Sequence, residues 1–348
     1  MVKVGIIGYG YTGQQHARAF ESLAGVDLRA VSETDPQKRA LVAVQAYEDY
    51  RYLLDDYSLE AVSICLPHNL HEQVATEALN AGKNVLVEKP LAASVEAGER
   101  LCQLARKVSR VLMVEMTHRF MPPVVEARQL ILKRELGDVI AVTDAIVECV
   151  GSLPGWLFCK QSAGGGVGLS SGIHLLDQVA WITGQSLTLD SARFGHSFAM
   201  GDMGDIEDTA SFFLHLNQGA PVHILLCWRP RGKDLESELS IYGSKGTLYV
   251  DVWRGWRLVT EVGCRGEVHF DETLSIAERA LEGMKGALAE FIAAVRENRE
   301  PFLKPEESLT SQSIIEQAYR LWEIQLKGAI RPTPTVGSQQ EMTQPKPL

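Results

Sequence analysis

Three glycines near the start of the chain, Gly8, Gly10 and Gly13, have the spacing G-x-G-x-x-G. They follow an apolar run and open a helical pattern, which is the context in which this motif binds a dinucleotide. The first glycine makes the tight turn, the second lets the pyrophosphate approach the backbone, and the third packs helix against strand. The start of the helix, at Tyr11 and Thr12, then faces the phosphates. These five residues are predicted to form a dinucleotide site.

A carboxylate is expected about 20 residues further on, at the end of the second strand, to bind the adenosine ribose. Glu33 stands there. Because its negative charge repels a 2′-phosphate, Glu33 favours NAD over NADP. Lys38 and Arg39 lie nearby and could serve such a phosphate, so NADP stays open.

Polar residues also follow the third and fourth apolar runs, where parallel strands end and open α/β sheets bind their ligands. A lysine at such a strand end points toward the cofactor, whereas most lysines elsewhere are surface residues. The residues predicted to contact the cofactor here are Pro67, His68, Asn69, His71, Glu88 and Lys89.

A second unusual segment, residues 164–172, is rich in glycine and leads into a helix that carries His174 and Asp177. The two side chains share a helix face, because residues three apart are neighbours there. A lone histidine in this setting is more often structural than catalytic. The pair could suggest a metal, but the sequence has no third ligand at a recognisable spacing, so no metal is predicted.

The elements that must position these residues differ between the two parts of the chain. The first 115 residues alternate apolar runs with helical patterns, which predicts parallel βαβ units. Strands are expected at 2–7, 28–32, 61–66, 84–87 and 111–114, and helices at 13–23, 37–46, 71–81 and 94–107. A doubly wound parallel sheet of the Rossmann type is therefore predicted for residues 1–119.

After residue 119 a helix is expected at 122–135, a strand at 139–150 and a helix at 174–183. Residues 188–260 read as successive strands separated by turn signals, which predicts an open, mainly antiparallel sheet. Two closing helices are expected at 276–297 and 306–327. These elements predict a second α/β domain over residues 120–330. Residues 331–348, rich in Pro, Gln and Ser, are expected to be disordered.

Composition excludes several classes of protein. The chain has 348 residues, enough for two domains, and its 34 basic and 44 acidic residues give a net charge of −10, which argues against nucleic-acid binding. No apolar run approaches 18 residues, so no membrane span is predicted. The six cysteines include no C-x-x-C pair, and most of them are expected to be buried, reduced thiols. With no signal-peptide pattern, the expected compartment is the cytoplasm.

Taken together, these residues resemble the glucose-fructose oxidoreductase, inositol dehydrogenase and rhizopine-catabolism (Gfo/Idh/MocA) family, from residue 2 to about 330. The resemblance is carried by the glycine motif, residues 67–71, 88–90, 118–120, 136–139, 164–177 and 241–246. It implies an N-terminal Rossmann domain, a C-terminal domain with an open sheet, and hydride transfer between a nicotinamide and a hydroxyl or keto carbon. The implied substrates are sugars, cyclitols or their derivatives.

The resemblance also implies site residues. Lys89 corresponds to the family's catalytic lysine and His174 to its catalytic-site histidine, and Arg119 is expected beside the cofactor. The chain departs from the family pattern Asp-x-Gly-x-His, because it has Ser170 at the position of the aspartate. We therefore expect Lys89 and His174 to share acid–base work and Ser170 to orient the substrate.

Three other activities occur among members of this family and stay open. They are NAD-dependent glycoside cleavage, biliverdin-reductase-like reduction, and a non-catalytic role as a cofactor-binding regulator. Large side chains that could line a substrate pocket are Trp156, Trp228, Arg229 and Arg231.

The expected partners are a small-molecule substrate and further copies of the chain, as a homodimer or homotetramer through the exposed face of the C-terminal sheet. The alternating residues Val222, Ile224, Leu226 and Trp228 could form the contact patch, or could face the helices instead.

Overall fold

The computed structural model describes residues 1–149, 153–196, 206–229, 235–271 and 273–329. Two β-sheets organise this part of the chain. The strands are β1 (Val2–Ile7), β2 (Val26–Ser32), β3 (Gln45–Tyr47), β4 (Ala61–Ile64), β5 (Asn84–Glu88), β6 (Leu112–Glu115), β7 (Val139–Cys149), β8 (Leu187–Gly195), β9 (Thr209–Leu216), β10 (Pro221–Arg229), β11 (Leu235–Gly243), β12 (Gly246–Asp251), β13 (Gly255–Thr260) and β14 (Gly263–Val268).

Helices cover these sheets. The α-helices are α1 (Tyr11–Ser22), α2 (Pro36–Arg39), α3 (Tyr50–Leu54), α4 (His71–Asn80), α5 (Val95–Lys107), α6 (Pro122–Leu132), α7 (Lys160–Ala163), α8 (Val167–Ser170), α9 (Gly172–Thr183), α10 (Ile276–Glu297) and α11 (Pro305–Ala329). Short 3-10 helices occupy His68–Leu70, Thr117–Phe120 and Gly155–Phe158.

The N-terminal sheet is parallel throughout, with the strand order β3-β2-β1-β4-β5-β6. Its central strands are almost entirely buried, as expected where helices cover both faces. The order reverses between β1 and β4, and the crevice at the carboxyl ends of such strands is where open α/β sheets bind ligands. The predicted doubly wound fold is confirmed.

The segment after β2 corrects the prediction of a helix over residues 37–46. Asp35 caps a helix that begins at Pro36 and ends at Arg39. The chain then forms β3, which pairs with β2 at the sheet edge. A strand of three residues is too short to show a periodic pattern in the sequence. The helix α3 was also not predicted.

The C-terminal sheet has the order β14-β13-β12-β11-β7-β10-β9-β8. All its neighbours pair antiparallel except β7 and β10, which are parallel, so the predicted open and mainly antiparallel sheet is confirmed. The helices α8 and α9 pack on one face of it. The strand β14, beyond the predicted limit at residue 260, extends one edge.

Of the two possibilities for the alternating residues of β10, the structure supports the one in which they face the helices, and they form no contact patch. Val222, Ile224, Leu226 and Trp228 are each at most 2% exposed, because they point at the helices. The open face carries the alternate residues of β10, among them the exposed Leu225.

The last two helices contact both parts of the chain. The capping box of Ser275 and Glu278 starts α10, which packs on α1 and on the 3-10 helix Thr117–Phe120. The final helix α11 packs on α5, α9 and β8. The predicted domain limits, 1–119 and 120–330, therefore stay a prediction. The tail predicted to be disordered, 331–348, lies outside the described residues.

The cysteines differ from expectation. Cys102 is buried, Cys159 and Cys264 are exposed, and the other three are half-buried, so the prediction that most are buried is wrong. Of the helices in the described ranges, none combines the length and the apolar character that crossing a membrane requires.

Candidate active site

The glycine motif forms the turn between β1 and α1. Gly8 has a φ of +94°, and a Cβ there would overlap the carbonyl oxygen of Cys65. A Cβ at Gly13 would overlap the carbonyl oxygen of Gly8. A Cβ at Gly10 would meet no atom within 4 Å. Two of the glycines are therefore required by the fold, whereas Gly10 leaves open space of the kind that a pyrophosphate needs.

The start of α1 fits an anion. Gly10 is its N-cap, and the first turn has neither an acidic residue nor a side-chain cap, so backbone N–H groups at this end are available. Beside it, Glu33 accepts hydrogen bonds from the backbone N–H of Tyr9 (2.8 Å) and of Asp35 (2.9 Å). These contacts hold the carboxylate at the loop, where it can bind ribose hydroxyls. The residues present fit NAD.

The predicted cofactor contacts after β4 lie in a turn that connects distant backbone segments. The ring of His71 has one nitrogen 2.7 Å from the carbonyl oxygen of Pro90 and the other 2.9 Å from that of Leu66. The Nδ1 atom of His68 lies 2.7 Å from the carbonyl oxygen of Ala163. These contacts give both histidines a structural role. The contacts of this turn with the cofactor, including those expected of Pro67 and Asn69, stay a prediction. Asn69 is exposed.

Lys89 follows β5 and reaches across to the C-terminal domain. Its Nζ donates a hydrogen bond to the backbone carbonyl oxygen of Ser170 at 2.8 Å. Burial lowers the pKa of Lys89, while the carboxylates of Glu88, Glu148 and Glu115 act in the opposite direction. The structure therefore brings together two predicted site residues that lie 81 positions apart in the chain.

His174 lies close to the amine of Lys89. Burial lowers the pKa of His174 well below its usual value, and electrostatic repulsion from His118, when that ring is protonated, and from Lys89 lowers it further. Among the described residues, its buried Nδ1 has no hydrogen-bond partner. A neutral imidazole with an unpaired nitrogen can bind a substrate hydroxyl.

His118 lies in a segment that carries the family resemblance, but no role in the site was predicted for it. Its ring stacks on that of His174, with centroids 4.6 Å apart and an interplanar angle of 24°. Its Nδ1 lies 2.9 Å from Oε1 of Gln178, whose Nε2 donates to Asp144 at 2.6 Å. Since that amide oxygen is an acceptor, Nδ1 of His118 carries the proton. Burial lowers the pKa of His118 to about 4, so the ring is neutral.

Glu148 is the second residue that sequence reasoning missed. Near the carboxyl end of β7, it accepts hydrogen bonds from Nε1 of Trp228 (2.8 Å) and from the hydroxyl of Ser171 (3.0 Å). Burial raises the pKa of Glu148, although both hydrogen bonds and the charge of Lys89 oppose the shift. A glutamate in a β-strand with no neighbouring motif gives no signal in a single sequence.

Arg119 makes a buried ion pair across the domains. Its Nε and Nη2 donate to the two carboxylate oxygens of Asp177, each at 2.7 Å, and its Nη1 donates to Glu307 at 2.5 Å. The guanidinium is thus a link between α9, α11 and the 3-10 helix that carries it. Its expected contact with the cofactor stays a prediction.

The glycine-rich segment packs around Glu207. That carboxylate accepts from the backbone N–H groups of Gly166 (2.9 Å) and Gly168 (3.0 Å) and from the hydroxyl of Tyr319 (2.6 Å). A Cβ at Gly166 would overlap the Glu207 backbone. These glycines therefore serve close packing, which fixes the backbone that Lys89 contacts.

Two predicted pocket residues also have defined places. Trp156 packs edge-on against His68, with ring centroids 4.9 Å apart, and Trp228 is buried beneath Glu148. Arg229 ends β10, and Arg231 lies outside the described residues.

Known proteins match both parts of the chain. Residues 2–116 match a family model described as the oxidoreductase family with an NAD-binding Rossmann fold, and residues 124–249 match the GFO/IDH/MocA C-terminal domain. A levoglucosan dehydrogenase of Pseudarthrobacter phenanthrenivorans is 22% identical, over 71% of this chain and 73% of its own length. The scyllo-inositol 2-dehydrogenase (NAD(+)) of Bacillus subtilis is 26% identical, over 87% and 88%.

The crystal structure of GenD2 from gentamicin A biosynthesis, in complex with NAD, superposes with a TM-score of 0.81 at 24% identity, covering 92% of this chain and 94% of that one. This likeness supports the two-domain fold. The family, the enzyme class and the cofactor predicted from the sequence are confirmed. The chain belongs to the Gfo/Idh/MocA family and is an NAD-dependent oxidoreductase.

Proposed function

We propose that this protein is a dehydrogenase that oxidises a secondary hydroxyl of a sugar, a cyclitol or a derivative, with Lys89 as the proton acceptor. The observation that carries the proposal is the contact of Lys89 with Ser170. It places an amine from the cofactor-binding sheet against the segment that leads to His174. Bound NAD would supply the hydride acceptor.

Lys89 has the properties that this chemistry needs. Its lowered pKa increases the fraction of neutral amine near neutral pH, and a neutral amine can take the hydroxyl proton. In the reverse direction the ammonium form returns the proton to the alkoxide oxygen. The residues that would hold NAD are Gly8, Gly10, Tyr11, Thr12, Gly13 and Glu33.

His174 and Ser170 are proposed to orient the substrate. Because His174 is neutral and its Nδ1 lacks a partner among the described residues, the ring can bind a hydroxyl without competing for the proton. The Ser170 side chain is 9% exposed and can donate or accept a hydrogen bond, but it carries no charge near neutral pH.

The substrate class rests on the relatives. Two of them are named for levoglucosan and scyllo-inositol, which are polyhydroxylated rings. We propose a substrate of the same kind, since its several hydroxyls could form hydrogen bonds with the polar groups around Lys89.

The test is a panel of sugars, cyclitols and aminosugars assayed with NAD and NADP by the absorbance of the reduced cofactor. At least one polyol should be oxidised with NAD, and Lys89→Ala should abolish most of that rate. Sugar release without net NADH would support a glycosidase instead. Cofactor binding without turnover of any compound, pigments included, would support a regulator.

We also propose that the open face of the C-terminal sheet forms a homo-oligomer. Phe213 and Leu225 on this face are 48% and 42% exposed, and Phe213 stacks on His223. Sedimentation should show a dimer or tetramer, and Leu225→Glu should dissociate it. A wild-type monomer of 38.3 kDa at micromolar concentration would refute the proposal.

The proposed compartment is the cytoplasm. Fractionation of cells that produce the full chain should recover it with cytoplasmic enzymes. Recovery in a secreted or membrane fraction would contradict this.

A further inference from the structure

The half-buried carboxylate of Glu148 lies close to the segment that Lys89 contacts. Residue 170 is a serine, yet the hydroxyl of its neighbour Ser171 donates to Glu148 at 3.0 Å. The carbonyl of Ser170 accepts from Lys89 at 2.8 Å. The glutamate and the lysine therefore bind adjacent residues of one segment.

The position of Glu148 follows from the sheet. Alternate residues of β7 point to the helix-covered face, and Glu148 shares that face with Asp144 and Ile146. Its partner in the parallel pairing is Trp228, the side chain of which is 1% exposed and donates to the same carboxylate. Such a fixed indole donor and the Ser171 hydroxyl hold the carboxylate in one orientation.

The charge of Lys89 needs a fixed partner here. An ammonium group removed from water is costly unless it is paired and hydrogen-bonded. Within the described part of the chain, both hydrogen bonds to the Glu148 side chain are accepted by Oε2. They orient the carboxylate and leave its Oε1 able to accept another hydrogen bond. The titratable groups that interact with Lys89 are carboxylates and imidazoles, namely Glu88, Glu115, Glu148, His68, His71, His118 and His174.

We propose that Glu148, from strand β7, positions the ammonium group of Lys89 and balances its charge. This inference rests on the proposed role of Lys89 as the acid–base group. Glu148 acts through Lys89 and is thus a positioning residue.

The test measures the proton affinity of Lys89 with and without the carboxylate. Glu148→Gln keeps the shape and an oxygen acceptor for Trp228 and Ser171, while it removes the charge. Acetylation of Lys89 by acetic anhydride across a pH series, read by mass spectrometry, reports the pKa of its amine and requires no substrate. The matched control is Glu297→Gln, the same change at an exposed site of α10.

In Glu148→Gln the pKa of Lys89 should fall by about 1 unit, the lower end of what a nearby opposite charge produces. Alcohol oxidation should then begin at correspondingly lower pH, whereas Glu297→Gln should match the wild type. The double variant Ser170→Asp/Glu148→Gln should restore both the pKa of Lys89 and the pH at which alcohol oxidation begins. An unchanged pKa of Lys89 in a folded Glu148→Gln protein would overturn the proposal.

Two further variants separate the possible failures. If Glu148→Gln does not fold, Glu148→Met makes the same loss of charge with a side chain of similar length. Glu148→Asp keeps the charge and should leave the pKa of Lys89 closer to that of the wild type. If the wild type oxidised no polyol, that result would count against the proposed function. The acetylation experiment needs no substrate, so it would still decide the role of Glu148.

Discussion

Two glycines of the motif should respond differently to substitution, because Gly10 serves cofactor binding and Gly13 serves the fold. At Gly10 the backbone has φ −68° and ψ −165°, which any residue can adopt, and the space around its Cβ position is open. At Gly13 a Cβ would overlap a carbonyl oxygen of the same turn. The substitutions Gly10→Ala and Gly13→Ala add the same methyl group to these two settings.

The expected magnitudes follow from this geometry. Alanine at Gly10 replaces an N-cap glycine and should cost about 1 kcal/mol of stability at most. A methyl group in the pyrophosphate's path should remove about one charge-assisted hydrogen bond, worth roughly 2 kcal/mol, so NAD should bind about 30-fold more weakly. Alanine at Gly13 must displace backbone, and should cost about 3 kcal/mol or more.

The assays are calorimetric titration with NAD and thermal unfolding without it. Gly13→Ala should lower Tm by about 6 °C or more, and Gly10→Ala by about 4 °C at most. The reasoning fails if Gly10→Ala binds NAD within about threefold of the wild type. It also fails if the two variants lose the same stability, because Gly10 would then be a packing residue as well.

Three other outcomes are expected. Lys89→Ala should lower kcat by roughly 10²–10⁴-fold with little change in the Kd for NAD, and it should lack the wild-type rise in oxidation rate as pH increases through the lowered pKa of Lys89; kinetics over a pH series check both. Glu33→Ser should narrow the preference for NAD over NADP in calorimetry, because it removes the charge that repels a 2′-phosphate, and a wild-type preference for NADP would contradict the assignment. Burial, together with the charge of Glu88, raises the pKa of Glu115 to about 7. Since the folded state favours the protonated form, wild-type stability should decline as pH rises from about 4.5 to about 7, by at most about 3 kcal/mol, and urea unfolding of Glu115→Gln should lack that decline.

Local chemistry explains what the sequence could predict. Gly8, Gly10 and Gly13 lie within six residues, and their roles depend on one turn, so a single motif indicates all three. Lys89 could be predicted because it directly follows β5, at the edge of the sheet that binds ligands. Both sheets followed from alternating patterns that extend over many residues.

The rest depends on contacts between distant segments. Glu148 meets Ser171 across 23 residues, and His118 meets Gln178 across 60. No periodicity or motif reports such pairs. The faces of β10 could have been assigned correctly, because Val222 and the three alternate residues after it are more apolar than the intervening ones, and the more apolar face of a half-covered sheet packs on the helices.

The framework of the site explains how position 170 can be a serine. Asp177, one turn beyond His174 on α9, is paired with Arg119, which directly follows His118. This buried pair fixes the two stacked histidines relative to each other, and removing one partner of such a pair costs about 3–5 kcal/mol. Lys89 is held by the backbone carbonyl at position 170, not by a side chain there. Because none of these contacts uses the side chain of residue 170, that position can change while the lysine and the histidines keep their places, and the compensating charge can come from a neighbouring strand.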